Sequence, residues 1–188
     1  MLNDSWKCQL KKARPDSDFD TIYCGKASHR ANVTWYPHSY PFFVRATWTW
    51  RFSKHSPRFY MDAIPSTGRT VVLLHLYAHF LVHHSYIVGL HVRDAAQGVR
   101  DLLSRNPSAR VLVQGPHALA GAEKMIIGDH HAERSRRILR QEFRDLMDRV
   151  TFLDTWDMTV ASENKDVHPH PRTVWEITRM FLGHVCPP

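Results

Sequence analysis

The sequence predicts an α/β fold with a mostly parallel central sheet. Three short apolar runs, at 70–76, 110–113 and 150–153, have the length and composition of buried strands. Between them, the segments 86–103 and 132–147 place apolar residues at spacings of three and four, as amphipathic helices do. Parallel strands need long crossover connections, which helices usually provide. The alternation therefore predicts a parallel sheet covered by helices on both faces.

The segments on either side of this series extend the fold. Residues 33–35 and 42–50 are rich in β-branched and aromatic residues and flank a proline-bounded turn at 37–41. After the last strand, a polar loop leads to a periodic segment at 172–182, which Pro171 opens as a first-turn proline. These patterns predict two further strands and a terminal helix.

Length and composition limit the domain organisation. With 188 residues and a hydrophobic content of 43%, the chain is long enough for one domain with a sizeable core. Residues 1–30 are polar and show no convincing period, so we expect a poorly defined amino-terminal segment before one domain at 31–188. No run of 18 apolar residues occurs, so no membrane span is predicted, and no apolar signal segment opens the chain.

The net charge of +7 favours acidic partners such as an anionic glycan, a nucleic acid or a membrane surface. The basic residues are scattered along the chain and no nucleic-acid motif accompanies them. We therefore predict no nucleic-acid partner, and the sequence does not indicate an oligomeric state.

The candidate catalytic residues follow the last predicted strand, 150–153. Ligands of open α/β sheets bind beyond the carboxyl ends of the strands, and His168 lies there, two residues after Asp166. An imidazole oriented by a carboxylate can take a proton from a serine and return it to a leaving group. The alternative is an exposed His-Pro loop that caps the final helix. Asp154 and Asp157 likewise either orient a histidine or form turns after the strand.

The candidate nucleophile is Ser5, which follows Leu2-Asn3-Asp4. A strand-to-helix turn at this point would expose the serine hydroxyl. The alternative is a disordered terminus, because little sequence precedes Ser5 that could hold it.

The arrangement of the histidines and cysteines does not match a metal site, and we predict no metal or other cofactor. Four histidines, at 75, 79, 83 and 84, include pairs at the helical spacing of four residues that metal sites use. However, 70–76 has the pattern of a strand, and no cysteine or acidic ligand lies among them. Three cysteines, Cys8, Cys24 and Cys186, allow either one disulfide with a free or intermolecular thiol, or three reduced thiols.

Several motifs, in order over residues 32–187, resemble those of the NXPE (neurexophilin and PC-esterase domain) family. The first reads Trp-Tyr-Pro-His-Ser-Tyr-Pro-Phe and is similar to the family's W-x-x-H-S-Y-P-F. Another reads Leu-Asp-Thr-Trp-Asp-Met-Thr and is similar to D-A-W-D-M-T. The resembling segments are 35–42, 78–80, 88–107, 153–159, 167–169 and 180–186.

The resemblance implies a three-layer SGNH-hydrolase-like fold, truncated at its amino terminus, in the Golgi lumen or secreted. It implies His168 as the base and Ser5 as the nucleophile, with His79 and His38 at the oxyanion or substrate site. The sequence departs from the family at Asn3, where the family has glycine, and at Lys165, where the SGNH pattern has aspartate. Asp166 or Glu163 then replaces that acid, or a backbone carbonyl holds His168.

The function predicted from this resemblance is acyl transfer or acyl-ester hydrolysis, such as that of O-acetyl groups, on secreted or cell-surface glycans. A Ser/His mechanism would perform it, and the partner would be an acylated or anionic glycan. The alternative is a catalytically inactive module on the same fold that binds a glycan or a protein.

Overall fold

The chain divides into two units, residues 1–39 and 40–188. The predicted strand at 42–50 and the turn at 37–41 lie outside the residues described in the computed structural model. The described residues are 7–11, 21–26, 31–36, 55–119, 128–166 and 168–186.

The first unit contains an antiparallel sheet of three strands in chain order: β1 (Lys7–Lys11), β2 (Thr21–Lys26) and β3 (Ala31–Trp35). The predicted strand at 33–35 is confirmed as part of β3. In contrast, β1 and β2 lie within 1–30, where the sequence shows no period. Residues 32–35 of β3 are all exposed, so these positions show no alternation of buried and exposed side chains. The register places Cys8 opposite Cys24.

The second unit is built on a parallel sheet of three strands: β4 (Val71–Leu74), β5 (Arg110–Gln114) and β6 (Val150–Leu153). The three predicted apolar strands and their parallel direction are confirmed, although β4 ends at Leu74 rather than at residue 76. β5 is the central strand, and all of its residues after Arg110 are buried.

Five helices accompany this sheet: α1 (Pro57–Asp62), α2 (Ser85–Arg105), α3 (Asp129–Glu142), α4 (Trp156–Ala161) and α5 (Pro171–Val185). The predicted helices at 86–103 and 172–182 are confirmed. The helix predicted over 132–147 ends earlier, because a separate 3₁₀ turn occupies 144–146. α4 was not predicted: it lies in the segment assigned to a polar loop, and six residues are too few to show a helical period.

Helices α2 and α3 pack together and against one face of the sheet. That face presents Val72, Val111 and Val150 to a continuous apolar core. α5 lies against β6. Val71 and Leu73 of β4 alternate with the core residue Val72 and so belong to the other face, and they are 39% and 41% exposed. The prediction of helical cover on both faces is therefore not met at β4. The three-layer SGNH-like arrangement stays a prediction.

Parallel strands bring the loops that follow them to one edge of the sheet. This carboxyl edge is formed by the residues after β4, β5 and β6, and the amino edge by the residues before them. Among the described residues, no helix has both the length and the apolar character that a membrane span requires.

Candidate active site

A buried loop, residues 115–119, follows the central strand at the carboxyl edge. All five residues are buried. Loops usually lie on the surface, because their backbone amide and carbonyl groups have no regular partners and need water. A buried loop therefore needs other groups to bind its backbone.

Side chains from several neighbouring elements provide those partners. The Thr155 hydroxyl lies 3.3 Å from the carbonyl oxygens of both Gly115 and Pro116. The Tyr77 hydroxyl donates to the His117 carbonyl at 2.7 Å. The Leu119 amide donates to the Asp129 carboxylate at 2.5 Å. Each of these bonds joins the loop to a different element, so the loop is held from several sides.

Ala118 is bound through both of its backbone groups. Its amide donates to the Thr159 hydroxyl at 2.8 Å, and its carbonyl accepts from the Asn164 side chain at 2.7 Å. Thr159 and Asn164 are themselves buried. Both residues follow β6, in α4 and in the segment after it. Their side chains therefore link the region after β6 to the backbone of the loop after β5.

Tyr77 and His117 are buried side chains in contact with each other at the carboxyl edge. Tyr77 is 1% exposed and His117 is 4% exposed, and their rings meet edge to face with centroids 4.5 Å apart. Burial and, to a smaller extent, the Asp129 carboxylate raise the pKa of the Tyr77 phenol well above its usual value. Tyr77 therefore stays a neutral hydrogen-bond donor at any physiological pH.

The segment from Asn164 to His168 brings two predicted site residues to this edge. Asn164 donates to the Asp166 carbonyl at 2.8 Å, and the Asp166 carboxylate accepts from the His168 backbone amide at 3.3 Å. Both Asp166 and His168 are exposed. In this arrangement the carboxylate forms a local turn with the His168 backbone, and its contact with the imidazole ring stays a prediction.

Of the other predicted site residues, the structure describes the positions of some and not of others. His79 lies half-buried in a 3₁₀ turn, 78–80, after β4, which puts it on the carboxyl side of that strand. Glu163 and Lys165 are exposed, and Glu163 has a left-handed backbone conformation with φ of 49°. Ser5 and His38 lie outside the described residues, so the structure does not place the predicted nucleophile.

Asp154, directly after β6, forms ion pairs and a turn. Its carboxylate accepts from Arg136, from Arg140 at 2.8 Å and from the Trp156 amide at 3.3 Å. Burial alone would raise the pKa of Asp154, but these hydrogen bonds together lower it. The turn interpretation of the Asp154 motif is thus confirmed, whereas Asp157 is exposed.

The histidines considered as metal ligands do not share a helix face. His79 lies in the 3₁₀ turn, whereas His84 caps α2 by accepting the Tyr86 amide at 3.2 Å. Within the described ranges, no three His, Cys, Asp or Glu side chains are grouped so that they could hold a metal ion.

Sequence reasoning missed three residues at this edge: Tyr77, His117 and Asn164. One signal was available for His117, because Gly115-Pro116 ends the central parallel strand, where ligands of open sheets bind. Nothing local indicates Asn164, whose partner Ala118 lies 46 residues away.

The fold and this edge define an α/β domain with a candidate site beyond the carboxyl ends of parallel strands. A family model described as NXPE family member 4-like, C-terminal domain, matches residues 2–186. The chain therefore belongs to the NXPE family and is a PC-esterase-like domain, in agreement with the resemblance seen in its motifs. No solved structure matches the chain.

Proposed function

We propose that this domain acts in acyl transfer or acyl-ester hydrolysis on glycans of the secretory pathway, with His168 as the general base. The observation that carries the proposal is the position of His168. It lies beyond the carboxyl end of β6, in a segment that Asn164 ties to the loop after β5. The acyl-ester chemistry in this proposal is what the resemblance of the motifs to the NXPE family implies.

In the proposed mechanism, a serine hydroxyl attacks the acyl carbonyl while the His168 imidazole accepts its proton. The sequence offers Ser5 as the candidate for that serine. The imidazole then returns the proton to the leaving sugar oxygen, and an acyl-enzyme forms. Water or an acceptor hydroxyl releases the acyl group in a second step. His168 is exposed, which suits a group that must reach a bulky glycan substrate.

The test compares the parent chain with two single-histidine variants on an O-acetylated sugar. His168→Ala should lower kcat by about 10²-fold or more, since it removes the general base. The matched control is His170→Asn, which removes an imidazole two residues away. His170 caps α5 by accepting the Arg172 amide at 3.2 Å, and asparagine is also a favoured cap residue. A His168→Ala variant as active as the parent would contradict the assignment.

A fluorophosphonate probe tests the nucleophile directly. Labelling of the parent that disappears in Ser5→Ala and His168→Ala indicates an activated serine. A folded parent that takes no label, but binds an anionic glycan, instead supports the binding module. Trp175 favours that second candidate: it is 60% exposed on α5, with Arg172 three residues before it and Arg179 four residues after.

A further inference from the structure

Asn164 is the residue through which the segment carrying His168 reaches the buried loop 115–119. We propose that Asn164 is a positioning residue, which fixes the backbone from which His168 projects. This inference rests on the proposed function for its catalytic consequence. Its structural content, a tether between two loops, is measurable without any activity.

Every donor of Asn164 is used. The two hydrogens of its side-chain amide go to the carbonyls of Ala118, at 2.7 Å, and Asp166, at 2.8 Å. Its backbone amide donates to the Thr159 carbonyl at 3.0 Å. The residue is 6% exposed. The two carbonyl oxygens also fix the orientation of the Asn164 side chain. Only its nitrogen can donate to them, since its own oxygen in that place would face two other acceptors.

The tether continues to His168 in one more step. Asn164 holds the Asp166 carbonyl, and the Asp166 carboxylate accepts the His168 amide at 3.3 Å. Among the described residues, no hydrogen bond is made to the His168 ring. Within that part of the chain, the placement of the imidazole therefore depends on its backbone.

The backbone before Asn164 has a conformation that needs support. Glu163 has φ of 49°, in the left-handed region that residues with a Cβ atom disfavour. Such conformations persist where surrounding contacts fix them, and they often occur at functional sites. Here Glu163 lies just past the end of α4, and the Glu163 and Asn164 backbone amides donate to the Val160 and Thr159 carbonyls, as at many helix ends.

The chain offers a matched control in a second buried asparagine, Asn106. It is 1% exposed, and its side-chain amide donates to the carbonyls of Pro65, at 3.0 Å, and Gly68, at 3.2 Å. Asn106 lies at the amino edge, before β5. Alanine at either position removes two hydrogen bonds from a side-chain amide to backbone carbonyls, and at Asn106 it also removes the bond that the amide oxygen accepts from Ser108. The place where exchange rises therefore distinguishes the two variants.

Hydrogen–deuterium exchange tests the tether without reference to catalysis. Asn164→Ala should speed exchange at least about tenfold in residues 162–170 and leave residues 65–70 near the parent rate. Asn106→Ala should give the reverse pattern. If Asn164→Ala does not fold, Asn164→Ser, which keeps one donor, is measured in its place and should show a smaller increase in the same segment. Unchanged exchange in 162–170 would overturn the proposal.

Kinetics on the O-acetylated sugar then test whether the tether acts through His168. Asn164→Ala should lower kcat by about 10²-fold with KM within about threefold, because a displacement of about 1 Å suffices for such a loss. In a His168→Ala background, Asn164→Ala should cause no further loss of kcat, and Asn106→Ala should leave kcat within about threefold. A multiplicative loss in the double variant would overturn the role through His168.

The exchange experiment and the kinetic experiment together distinguish failure of the proposed function from failure of the positioning role. A folded parent without turnover refutes the proposed function, while the exchange experiment still decides whether Asn164 tethers the segment. Turnover that depends on His168, with unchanged exchange in Asn164→Ala, refutes the positioning role alone.

Discussion

The two edges of the parallel sheet are each held by a buried asparagine, yet they are built differently. At the amino edge, Asn106 ends α2 and binds two carbonyls before β4, with the exposed Ser108 beside it. At the carboxyl edge, Asn164 is one of five side chains that bind the backbone of the buried loop 115–119.

This difference follows from how far solvent can reach the backbone amide and carbonyl groups at each edge. At the amino edge, the backbone carbonyls near the end of α2 are bound by Asn106 and by the exposed Ser108, where solvent can reach. The carboxyl edge contains backbone that solvent does not reach, and each of its polar groups therefore needs a protein partner. A dense side-chain network is concentrated at the edge where ligands of open sheets bind, which favours a functional reason for it.

Thr159→Val should have the largest effect of the following variants. Thr159 is fully buried, and valine removes the oxygen that accepts the Ala118 amide at 2.8 Å. We expect the free energy of unfolding to fall by about 2 kcal/mol, the cost of a buried donor without a partner. Thr159→Ser, which keeps the oxygen and loses a methyl group, should cost about 1 kcal/mol.

Ser108→Ala gives the amino-edge counterpart of this experiment. The Ser108 hydroxyl donates to Asn106 at 2.7 Å and lies 3.0 Å from the Gly68 carbonyl, but the residue is exposed. Its loss should therefore cost no more than about 0.5 kcal/mol in urea unfolding. Equal losses from Ser108→Ala and Thr159→Val would remove the distinction between the edges.

Tyr77→Phe should have an intermediate effect. The variant removes the hydroxyl that donates to the His117 carbonyl at 2.7 Å and keeps the ring that contacts His117. A loss of about 1–1.5 kcal/mol in the free energy of unfolding is expected. Tyr86→Phe is the control, since Tyr86 is 67% exposed, and a comparable loss there would argue against burial as the cause.

The smallest effect expected at the carboxyl edge is that of Asp154→Asn, and it depends on pH. Because the folded-state pKa of Asp154 is lowered, its stabilisation is present above the unfolded-state pKa and is lost as pH falls through the folded-state pKa. Asp154→Asn should cost about 1 kcal/mol at pH 7, given its partly exposed ion pairs. The difference in Tm from the parent should shrink at about pH 3.

Asp157→Asn is the matched control for this pH dependence. Asp157 lies three residues after Asp154 and is exposed. Its Tm difference from the parent should stay small at both pH values. If the Tm difference of Asp157→Asn changed with pH as much as that of Asp154→Asn, the effect would come from the net charge of the protein. It would then not come from the contacts of Asp154 with Arg136 and Arg140.

Much of the second unit could be predicted because burial leaves a repeating pattern in its sequence. The stripe from Val88 to Leu103 identifies α2, and the run at 150–153 coincides with β6. In the first unit, the β-branched and aromatic residues at 33–35 predicted part of β3, whereas the polar segments of β1 and β2 showed no period. The short helix α4 buries only Thr159, which is too little to produce a period.

The sequence alone therefore determined the order of β4, α2, β5, α3, β6 and α5 in the second unit, the position of His168 beyond β6, and the family. These features depend on local periodicity and on contiguous motifs. Only the tertiary structure decided which residues hold the carboxyl edge. Asn164 meets Ala118 across 46 residues and Tyr77 meets His117 across 40, through single hydrogen bonds to backbone carbonyls. Because any residue type offers a backbone carbonyl, such contacts leave no pattern in the sequence.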